Sequence, residues 1–466
     1  MPCACWRAQI LIKYIGDDRI ISVLTTIALI IIAVLFFELV IFIHELGHFI
    51  AAKKSGVKVN EFALGMGPRL FGFTKGETTY SFRAFPIGGY CAMEGEDEDS
   101  ENPRSFNNAK VWKRMIIIVA GAFMNIVLGL VLMFITLIPK DVFVSHEVSL
   151  TKPVSFSMLS GLQPGDEIVS IDGYAVNTYT DYAFSVYTLP YSEVDGRDLT
   201  IYKEDALIGL VNFASENRDK NTSEVAEKIY DLLEEIQPKL VQAKTNAEVY
   251  QLFCNYCDKI AELQGVTVQQ YPEIAINDTA KRFRVDMTVI RDGERVELKN
   301  VDFLTTGGSD DEKPQVSQDF YFQPIEKNFG TMISQTFSET VSNVRMVWGS
   351  LTGLVSGRFS LNEMSGPIGI ASAITDVASE AMETSGFGSA VMSIIYVMMI
   401  ITVNLGVINM LPFPALDGGR FLMLLIEAIF KKPVPRKVES IINTVGLVLL
   451  LALSAVIAVK DIIKLF

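Results

Sequence analysis

The feature that most constrains this chain is a long apolar segment, residues 20–54, that nevertheless carries ionisable side chains. A bilayer-spanning helix needs about 20 apolar residues, so the segment is long enough to cross a membrane. It contains His44, Glu45 and His48. Ionisable groups at membrane depth are costly and usually mark function, so we expect a site here. The alternative is that these side chains face a neighbouring helix and are satisfied there.

The spacing of these residues, His44-Glu45-Leu46-Gly47-His48, is that of a zinc-binding helix. Histidines four residues apart lie on one helix face and can bind the same metal ion, while the adjacent glutamate can activate a metal-bound water. Two of the three histidines of the chain fall in this pentapeptide. The sequence therefore predicts His44 and His48 as Zn²⁺ ligands and Glu45 as the catalytic base.

Composition predicts several domains and argues against one class of partner. The 466 residues are 50% hydrophobic, and the net charge of −14 arises mostly between Val142 and Lys327. Lysine and arginine instead flank the apolar segments, so no nucleic-acid partner is expected. The five cysteines form no four-ligand zinc pattern. Cys254 and Cys257 have C-x-x-C spacing, which fits a local disulfide, a redox pair or two unreactive thiols equally well.

Four segments, at residues 20–54, 111–139, 389–420 and 441–466, have the length and apolarity of transmembrane helices. Basic residues follow the first, precede the second and lie between the third and the fourth. Because basic residues favour the cytosolic side, the region between the second and third spans should be extracytoplasmic. His44, Glu45 and His48 then lie near the cytosolic face.

At the cytosolic end of a membrane helix, the pentapeptide resembles the active site of the site-2 protease family, the intramembrane zinc proteases of peptidase family M50. The resemblance implies an intramembrane metalloendopeptidase of a bacterial cytoplasmic membrane, with Zn²⁺ as cofactor and single-span membrane proteins as substrates. It also implies that further elements of the site lie elsewhere in the chain.

A third metal ligand is expected because catalytic zinc sites generally use three protein ligands and a water. The run Asn409-Met-Leu-Pro-Phe-Pro-Ala-Leu-Asp417-Gly-Gly lies at the end of the third span. Its prolines break the helix and its glycines permit a tight turn, so Asp417 can be directed back toward the metal. The alternative is a helix N-cap. The run resembles the family motif Asn-x-x-Pro-x-Pro-x-x-Asp-Gly, which implies that Asp417 completes the site and that Asn409 hydrogen-bonds the substrate or the oxyanion.

The segment between the first two spans, residues 55–110, alternates apolar and polar residues with frequent glycine, which predicts short β-hairpins. It is similar to the membrane re-entrant β-loop of the family, whose edge pairs with an extended substrate. The resemblance implies substrate-binding roles for the glycines Gly65, Gly67, Gly88 and Gly89. A plain cytosolic loop is the alternative.

The second span contains a Gly-x-x-x-Asn element, Gly121 to Asn125, which is similar to one in the family. Ala122 stands where the family commonly has proline. Small residues allow close helix approach and a buried asparagine needs a partner, so this face should pack against the helix that carries the histidines.

The extracytoplasmic region contains the run Gly161-Leu-Gln-Pro-Gly-Asp-Glu-Ile168, which resembles bacterial PDZ domains. Closing strands are predicted within residues 283–289 and 296–301, joined by a turn at Asp292-Gly293. The resemblance implies a substrate-selecting domain, formed by residues 140–190 and 282–304, whose ligand is a peptide C-terminus or a partner protein.

A segment within this domain, residues 191–281, has helical periodicity, and Pro238 should separate two helices. It can add a partner surface, cover the PDZ groove or be a tolerated surface insertion. Residues 305–388 are predicted as an acidic linker, Gly307 to Glu312, and an amphipathic helix. This helix either contacts membrane lipid or packs under the PDZ-like domain; its apolar face comprises Phe337, Val341, Val344, Trp348 and Leu351.

The predicted fold class is a polytopic α-helical membrane protein with four transmembrane helices, a membrane-associated β-hairpin loop and an extracytoplasmic PDZ-like α+β domain with a helical insertion. An N-terminal arm, residues 1–19, precedes the first span, and a cytosolic loop, residues 421–440, joins the last two.

The predicted function is zinc-dependent cleavage of peptide bonds in transmembrane segments, with anti-sigma factors or remnant signal peptides as examples of substrates. The alternative is a non-proteolytic PDZ-containing membrane scaffold with a structural or vacant metal site.

Overall fold

The computed structural model describes residues 3–96, 100–216, 221–306, 314–359 and 366–465. The chain divides into two compact units. We call Met1–Lys140 together with Met332–Phe466 the helical unit, and Asp141–Thr331 the sheet unit.

The elements follow one another along the chain in three blocks. The first block comprises α1 (Cys3–Ser55), β1 (Val59–Lys75), β2 (Thr78–Met93) and α2 (Val111–Leu137). The second comprises β3 (Val142–Thr151), α3 (Phe156–Leu159), β4 (Glu167–Ile171), β5 (Tyr174–Ala175), α4 (Tyr179–Tyr187), β6 (Tyr191–Asp195), α5 (Leu199–Glu216), α6 (Ser223–Gln242), α7 (Asn246–Gln264), β7 (Thr279–Arg291), β8 (Glu294–Thr306), β9 (Gln315–Ser317) and β10 (Phe320–Glu326). The third comprises α8 (Phe329–Val355), α9 (Pro367–Ser385), α10 (Phe387–Asn409), α11 (Asp417–Phe430) and α12 (Arg436–Leu465).

Four helices of the helical unit are long and apolar enough to cross a membrane, as predicted. The candidate spans are Ile27–Ser55, Val111–Leu137, Phe387–Asn409 and Lys437–Ile463. Large apolar side chains lie exposed on them, such as Leu35 and Leu451, which are 64% and 62% exposed. Such surfaces are stable in lipid rather than in water.

The ends of the predicted spans differ from the structure in two places. Residues 3–19, predicted as a separate arm, continue into the first span as part of the single helix α1. Within the predicted segment 389–420 the helix ends at Asn409, because the prolines of the following turn cannot continue a helix, as predicted. Much of the predicted loop 421–440 is helical, since α11 runs from Asp417 to Phe430.

Helices α1 and α2 cross closely because small residues line the contact. A Cβ atom on Gly47 would overlap the carbonyl of Ala120, so only glycine allows this approach. Helix α10 crosses α2 in the same way, where Gly406 lies against the carbonyl of Ala122. The structure thus confirms that this face of the second span packs on the helix that carries the histidines.

The hairpin β1–β2 forms one small sheet instead of several separate hairpins. Residues 61–64 pair on one side with residues 89–92 and on the other side with residues 79–82. Residues 69–75 pair in turn with residues 78–83. The long hairpin is therefore folded back on itself, with residues 61–64 in the middle and residues 89–92 at one edge.

Helix α9 begins in the run Gly366-Pro-Ile-Gly369, and a residue from α12 caps it. Gly366 has no side chain for capping, and the carboxylate of Asp461 accepts hydrogen bonds from the backbone N–H groups of Gly366 and Gly369, at 2.8 and 3.0 Å. A carboxylate at a helix N-terminus also complements the helix dipole. This contact ties the C-terminal helix to the rest of the helical unit.

The sheet unit is built on one sheet with strand order β10-β3-β4-β7-β8-β9, to which β5 and β6 pair at the side. The apolar face of the sheet buries Ile168, Val289 and Phe303 in one core. The predicted strands around Ile168 and within 283–301 are present, and Asp292-Gly293 forms the turn between β7 and β8.

Residues 305–388 were predicted as linker and amphipathic helix, but strands β9 and β10 lie between the two and were not predicted. Strand β10 pairs with β3, and Phe320 and Phe322 pack against Tyr182 in the sheet core. The short alternating pattern was obscured by Pro324, which lies at an edge of the sheet, where proline is tolerated. The predicted linker, Gly307 to Glu312, lies outside the described residues.

The predicted insertion differs in its boundaries and in its helix count. Residues 191–195 belong to the sheet as β6, and the helices that follow are α5, α6 and α7. Pro238 lies inside α6 and does not end it. Buried side chains on both sides of the proline, Leu233 and Leu240, face the same core, so tertiary packing holds the helix together. The break comes later, where Thr245 caps α7 through the N–H of Glu248.

The core of the insertion bears on the alternatives for the C-x-x-C pair. Cys254 and Cys257 both lie in α7 as free thiols. Cys257 is fully buried among apolar residues, and burial raises its pKa to about 12. A thiol with such a pKa is a poor nucleophile, which favours a packing role.

A buried carboxylate joins β10 to the short helix α3. Asp319 is fully buried and accepts hydrogen bonds from the N–H of Phe156 and the hydroxyl of Ser157, at 2.7 and 2.6 Å. Burial nevertheless raises the pKa of Asp319 to about 6. Because this pKa lies above its ordinary value of 3.8, the contribution of Asp319 to stability is fully present below about pH 4 and is lost as the pH rises through 6.

We expect Asp319→Asn to destabilise the sheet unit by about 1–3 kcal/mol, because the amide nitrogen replaces one of two acceptor oxygens and at least one donor loses its partner. The difference in the free energy of unfolding between the wild type and Asp319→Asn should be smaller at pH 7.5 than at pH 4.5. Hydrogen–deuterium exchange of peptides from residues 150–165 in the full-length protein measures this change. Asp278→Asn, at an exposed site, is the control, and equal exchange in both variants would contradict the expectation.

Candidate metal centre

Helix α1 brings the two histidines together, and the turn before α11 brings the aspartate to them. His44 and His48 lie one helical turn apart, each about 8% exposed, with their Nε2 atoms 3.2 Å from each other. Oδ2 of Asp417 lies 3.2 Å from Nε2 of His44 and 3.3 Å from Nε2 of His48. Asp417 is the first residue of α11, so it both begins this helix and points its carboxylate at α1.

The turn that delivers Asp417 depends on the two glycines that follow it. A Cβ atom on Gly418 would overlap the carbonyl of Leu411, and one on Gly419 would overlap the carbonyl of Phe413. Only glycine permits the chain after the prolines to fold back so tightly. The sequence predicted this turn correctly from the same residues.

The three donor atoms fit a tetrahedral zinc ion. Bonds of about 2.0–2.1 Å at tetrahedral angles require donors about 3.3–3.4 Å apart. The observed separations are 3.2, 3.2 and 3.3 Å. Oδ2 of Asp417 is buried and accepts no hydrogen bond, as expected for an atom whose partner is a metal. Among the described residues, His44, His48 and Asp417 are the group that could hold such an ion.

Hydrogen bonds on the far side of each imidazole orient it for metal binding. Nδ1 of His48 lies 2.9 Å from the carbonyl of Ile117 and must donate to it, which leaves Nε2 free as a ligand. Nδ1 of His44 lies 3.2 Å from the side-chain amide of fully buried Asn125. A His44 ring that binds metal through Nε2 carries its proton on Nδ1, so the Asn125 amide must present its oxygen. That orientation also gives a partner to Oδ1 of Asn125, which otherwise has none.

Two residues of α2 have the same spacing along their helix as the two histidines have along α1. Gly121 and Asn125 are four residues apart, as are His48 and His44, so the two pairs face each other across the helix crossing. A Cβ atom on Gly121 would overlap Nε2 of His48. Sequence reasoning assigned Gly121 and Asn125 to helix packing alone. The sequence did contain an indication of this contact, because Gly121 and Asn125 have the same four-residue spacing as His44 and His48.

Glu45 lies between the metal ligands and the hairpin sheet. It is close enough to His44, His48 and Asp417 to interact with their charges. On its other side, a Cβ atom built on Gly89 would lie 3.6 Å from Cγ of Glu45. The glutamate is thus placed between the ligand cluster and strand β2.

The other residues predicted for substrate binding lie at different distances from the cluster. The Asn409 amide nitrogen is 3.4 Å from Nε2 of His44, at the last residue of α10. Gly65, Gly67 and Gly88 have positive φ angles of 82°, 84° and 94°, which the local folding of the sheet requires. Gly89 lies against Ile41 and Glu45 of α1, and Gly67 lies against the ring of Phe85. The backbone N–H groups of Gly65 and Gly88 lie near Glu38 of α1.

One carboxylate in the first span escaped the sequence analysis. Glu38 is 8% exposed and precedes Glu45 by seven residues, which places both on one face of α1. The sequence could have indicated this residue, because it is a second acidic side chain in an apolar span.

A polar cavity of about 770 Å³ reaches the cluster from within the helical unit. Asp417 lies in its wall, together with Asn443 and two ion pairs, Arg114–Glu427 and Arg420–Glu96. Its charged lining can hold water, which a hydrolytic site needs.

We expect Gly121→Ala to lower zinc affinity by about tenfold or more, because the new methyl group displaces the His48 ring. Gly129→Ala is the matched control on the same helix, since a Cβ atom there would meet only Val403 and Thr402 side chains. Metal titration measures the zinc affinity of each purified variant, and thermal unfolding measures its stability. Equal zinc affinity in the two variants would contradict this role of Gly121.

We expect Asp417→Ala to lose most of its bound zinc, since two histidines alone leave the ion one ligand short. Atomic absorption of the purified protein measures the stoichiometry. Asp376→Ala, at an exposed site on α9, is the control. An unchanged zinc content would remove Asp417 from the site.

Comparisons with known proteins agree with this geometry. The profile of peptidase family M50 matches residues 31–453, which include both histidines and Asp417. A Clostridium acetobutylicum protein, provisionally named a zinc metalloprotease, is 31% identical over 436 residues, covering 93% of this chain and 97% of that protein. The regulator of sigma-W protease RasP of Bacillus subtilis is 27% identical over 461 residues, covering 95% and 99%. The zinc metalloprotease RasP of Bacillus licheniformis is 26% identical over 463 residues, covering 93% and 98%. This chain belongs to peptidase family M50.

Proposed function

We propose that the chain is a zinc-dependent endopeptidase that hydrolyses peptide bonds within transmembrane segments of other membrane proteins. The observation that carries this proposal is the convergence of His44, His48 and Asp417 in a unit whose candidate spans include the helix with both histidines. Family M50 and the named relatives support a metalloprotease in the membrane. The site within the apolar helices supports cleavage at membrane depth.

The predicted zinc cofactor is confirmed by two independent facts. The donor separations of 3.2–3.3 Å fit the ion, and the relatives are named zinc metalloproteases. His44, His48 and Asp417 would hold the zinc ion, which would supply Lewis acidity to the scissile carbonyl and to the attacking water.

The side chains around the ligands provide the remaining chemistry. Glu45 accepts the proton of the attacking water and delivers it to the leaving amine, as its place beside the ligands allows. The Asn409 amide donates to the developing oxyanion, an interaction worth about 3 kcal/mol of the barrier. Its position 3.4 Å from Nε2 of His44 supports this role.

Substrate binding uses the strand next to Glu45. A helical substrate has its carbonyl groups hydrogen-bonded and must unwind before attack. Residues 89–92 of β2 pair on one side with β1, and the described residues show no partner strand on the other side. An unwound substrate pairs with this free edge through its backbone, which holds it extended next to Glu45. Gly88 and Gly89 let the substrate backbone approach closely.

The sheet unit is proposed as a PDZ-like selection domain. The run from Gly161 to Ile168 forms a turn followed by strand β4, and β7 and β8 close the sheet, in the order that a PDZ resemblance implies. Its ligand is then a peptide C-terminus or a partner protein. The basic residues that flank the spans support an extracytoplasmic position for this unit and a position of the metal centre near the cytosolic face.

The proposed substrates are single-span proteins such as anti-sigma factors or remnant signal peptides. The Bacillus subtilis relative is named a regulator of sigma-W protease, which supports the first class. Helix α8 exposes Phe337, Val341 and Trp348, which supports contact of this helix with membrane lipid.

A non-proteolytic scaffold with a structural metal is the competing function. Structural zinc sites are usually closed by four protein ligands, whereas the described cluster offers three. Glu45 would also have no task in such a site. Both observations favour the protease.

We expect Glu45→Gln to retain zinc and the fold but to lower cleavage by about 10²–10⁴-fold, because the amide cannot accept the proton. The assay uses the full-length protein in lipid vesicles with a single-span substrate. Glu380→Gln, at an exposed site on α9, is the control. Cleavage at the wild-type rate with zinc bound would show that Glu45 is not the base.

A further inference from the structure

Glu38 is a buried carboxylate in the first span for which the proposed reaction has no use. It is 8% exposed, and neither of its oxygens accepts a hydrogen bond of good geometry. The backbone N–H groups of Gly65 and Gly88 are close enough to interact with it without completing such bonds. A carboxylate left in this state at membrane depth is costly, so it calls for a partner.

The position of Glu38 relates it to the same strand that passes Glu45. Gly88 lies beside Glu38, and the next residue, Gly89, lies beside Ile41 and Glu45. Cys91, further along, also interacts with Glu45. Strand β2 therefore contacts the face of α1 that carries Glu38 and Glu45.

The backbone separation of Glu38 and Glu45 along α1 can be expressed in residues of a bound peptide. Seven residues of α-helix extend about 10.5 Å. An extended peptide advances about 3.3 Å per residue, so about three of its residues cover this distance. A peptide that pairs with strand β2 and has its scissile bond near Glu45 places a side chain about three residues away near Glu38.

We propose that Glu38 is a specificity-determining residue that binds a hydrogen-bond-donating side chain of the substrate, best a lysine or arginine, about three residues from the scissile bond. The inference rests on the proposed function, because it assumes a substrate paired along β2. A donor that is itself costly in the bilayer gains from a buried carboxylate that lacks a partner. Such a pair selects transmembrane segments with a basic residue at one defined position.

A purely structural role is the competing explanation. Glu38 then holds the hairpin sheet through Gly65 and Gly88, and its substitution lowers the cleavage of every substrate by the same factor. A specificity role changes the ratio between substrates. The ratio therefore separates the two explanations.

The test uses full-length protein in lipid vesicles and a set of single-span substrates that differ at one position. Lysine replaces leucine at the second, third, fourth or fifth residue from the scissile bond, on the side of the substrate nearest Gly88. Mass spectrometry identifies the cleaved bond for each substrate. Neighbouring positions are internal controls, because successive side chains of a strand point to opposite faces.

We expect the wild type to cleave the substrate with lysine at the third residue with a kcat/KM roughly tenfold or more above that of the leucine substrate. Glu38→Gln should bring this ratio close to one. Glu38→Lys should invert it and favour a substrate with glutamate at the same residue.

Two results would overturn the proposal. One is a wild type that cleaves all substrates with equal efficiency, which leaves the protease function intact and removes the specificity role. The other is a lysine preference that persists in Glu38→Gln. If the wild type cleaves no substrate although zinc is bound, the proposed function fails and this inference fails with it. The wild-type substrate series tests the proposal even if a Glu38 variant does not fold.

Discussion

The helical unit depends on one interaction, the meeting of three electron-donating atoms from two distant helices inside an apolar region. Two imidazole nitrogens and a carboxylate oxygen within 3.3 Å of one another are unfavourable neighbours without a shared cation. A metal ion bound by these three residues would therefore join α1 to α11 as well as serve the proposed reaction. The histidines also form hydrogen bonds with Ile117 and Asn125 of α2. The ligand cluster therefore connects three helices.

Glycine makes this assembly possible at each place where the backbone must come close. Gly47 and Gly121 allow α2 to approach the histidines, and Gly418 with Gly419 allows the chain to turn back with Asp417. None of these glycines touches a substrate in the proposed reaction. Their effect is geometric, because each removes a side chain that would push a ligand out of position.

Much of the metal centre could be predicted from the sequence because its chemistry is local. The four-residue spacing of the histidines and the proline-glycine turn before Asp417 are visible without any tertiary contact. The part played by Asn125 could not be predicted, since it depends on which residue of α1 faces it. Glu38 could have been noticed as a carboxylate in an apolar span, but its neighbours Gly65 and Gly88 are known only from the folded sheet. In the sheet unit, Pro238 was assigned as a helix break because local propensity is visible in the sequence, whereas the packing that overrides it is not.

The separation of the ligands along the chain has a consequence for synthesis. His44 and His48 lie in the first helix, and Asp417 begins the next-to-last one, with the whole sheet unit made in between. A ribosome must complete most of the chain before the ion can gain its third ligand. If the proposed site is correct, a nascent chain that is still being inserted lacks the third ligand, and so does a truncated product without α11. The order of the ligands thus limits when proteolysis can begin.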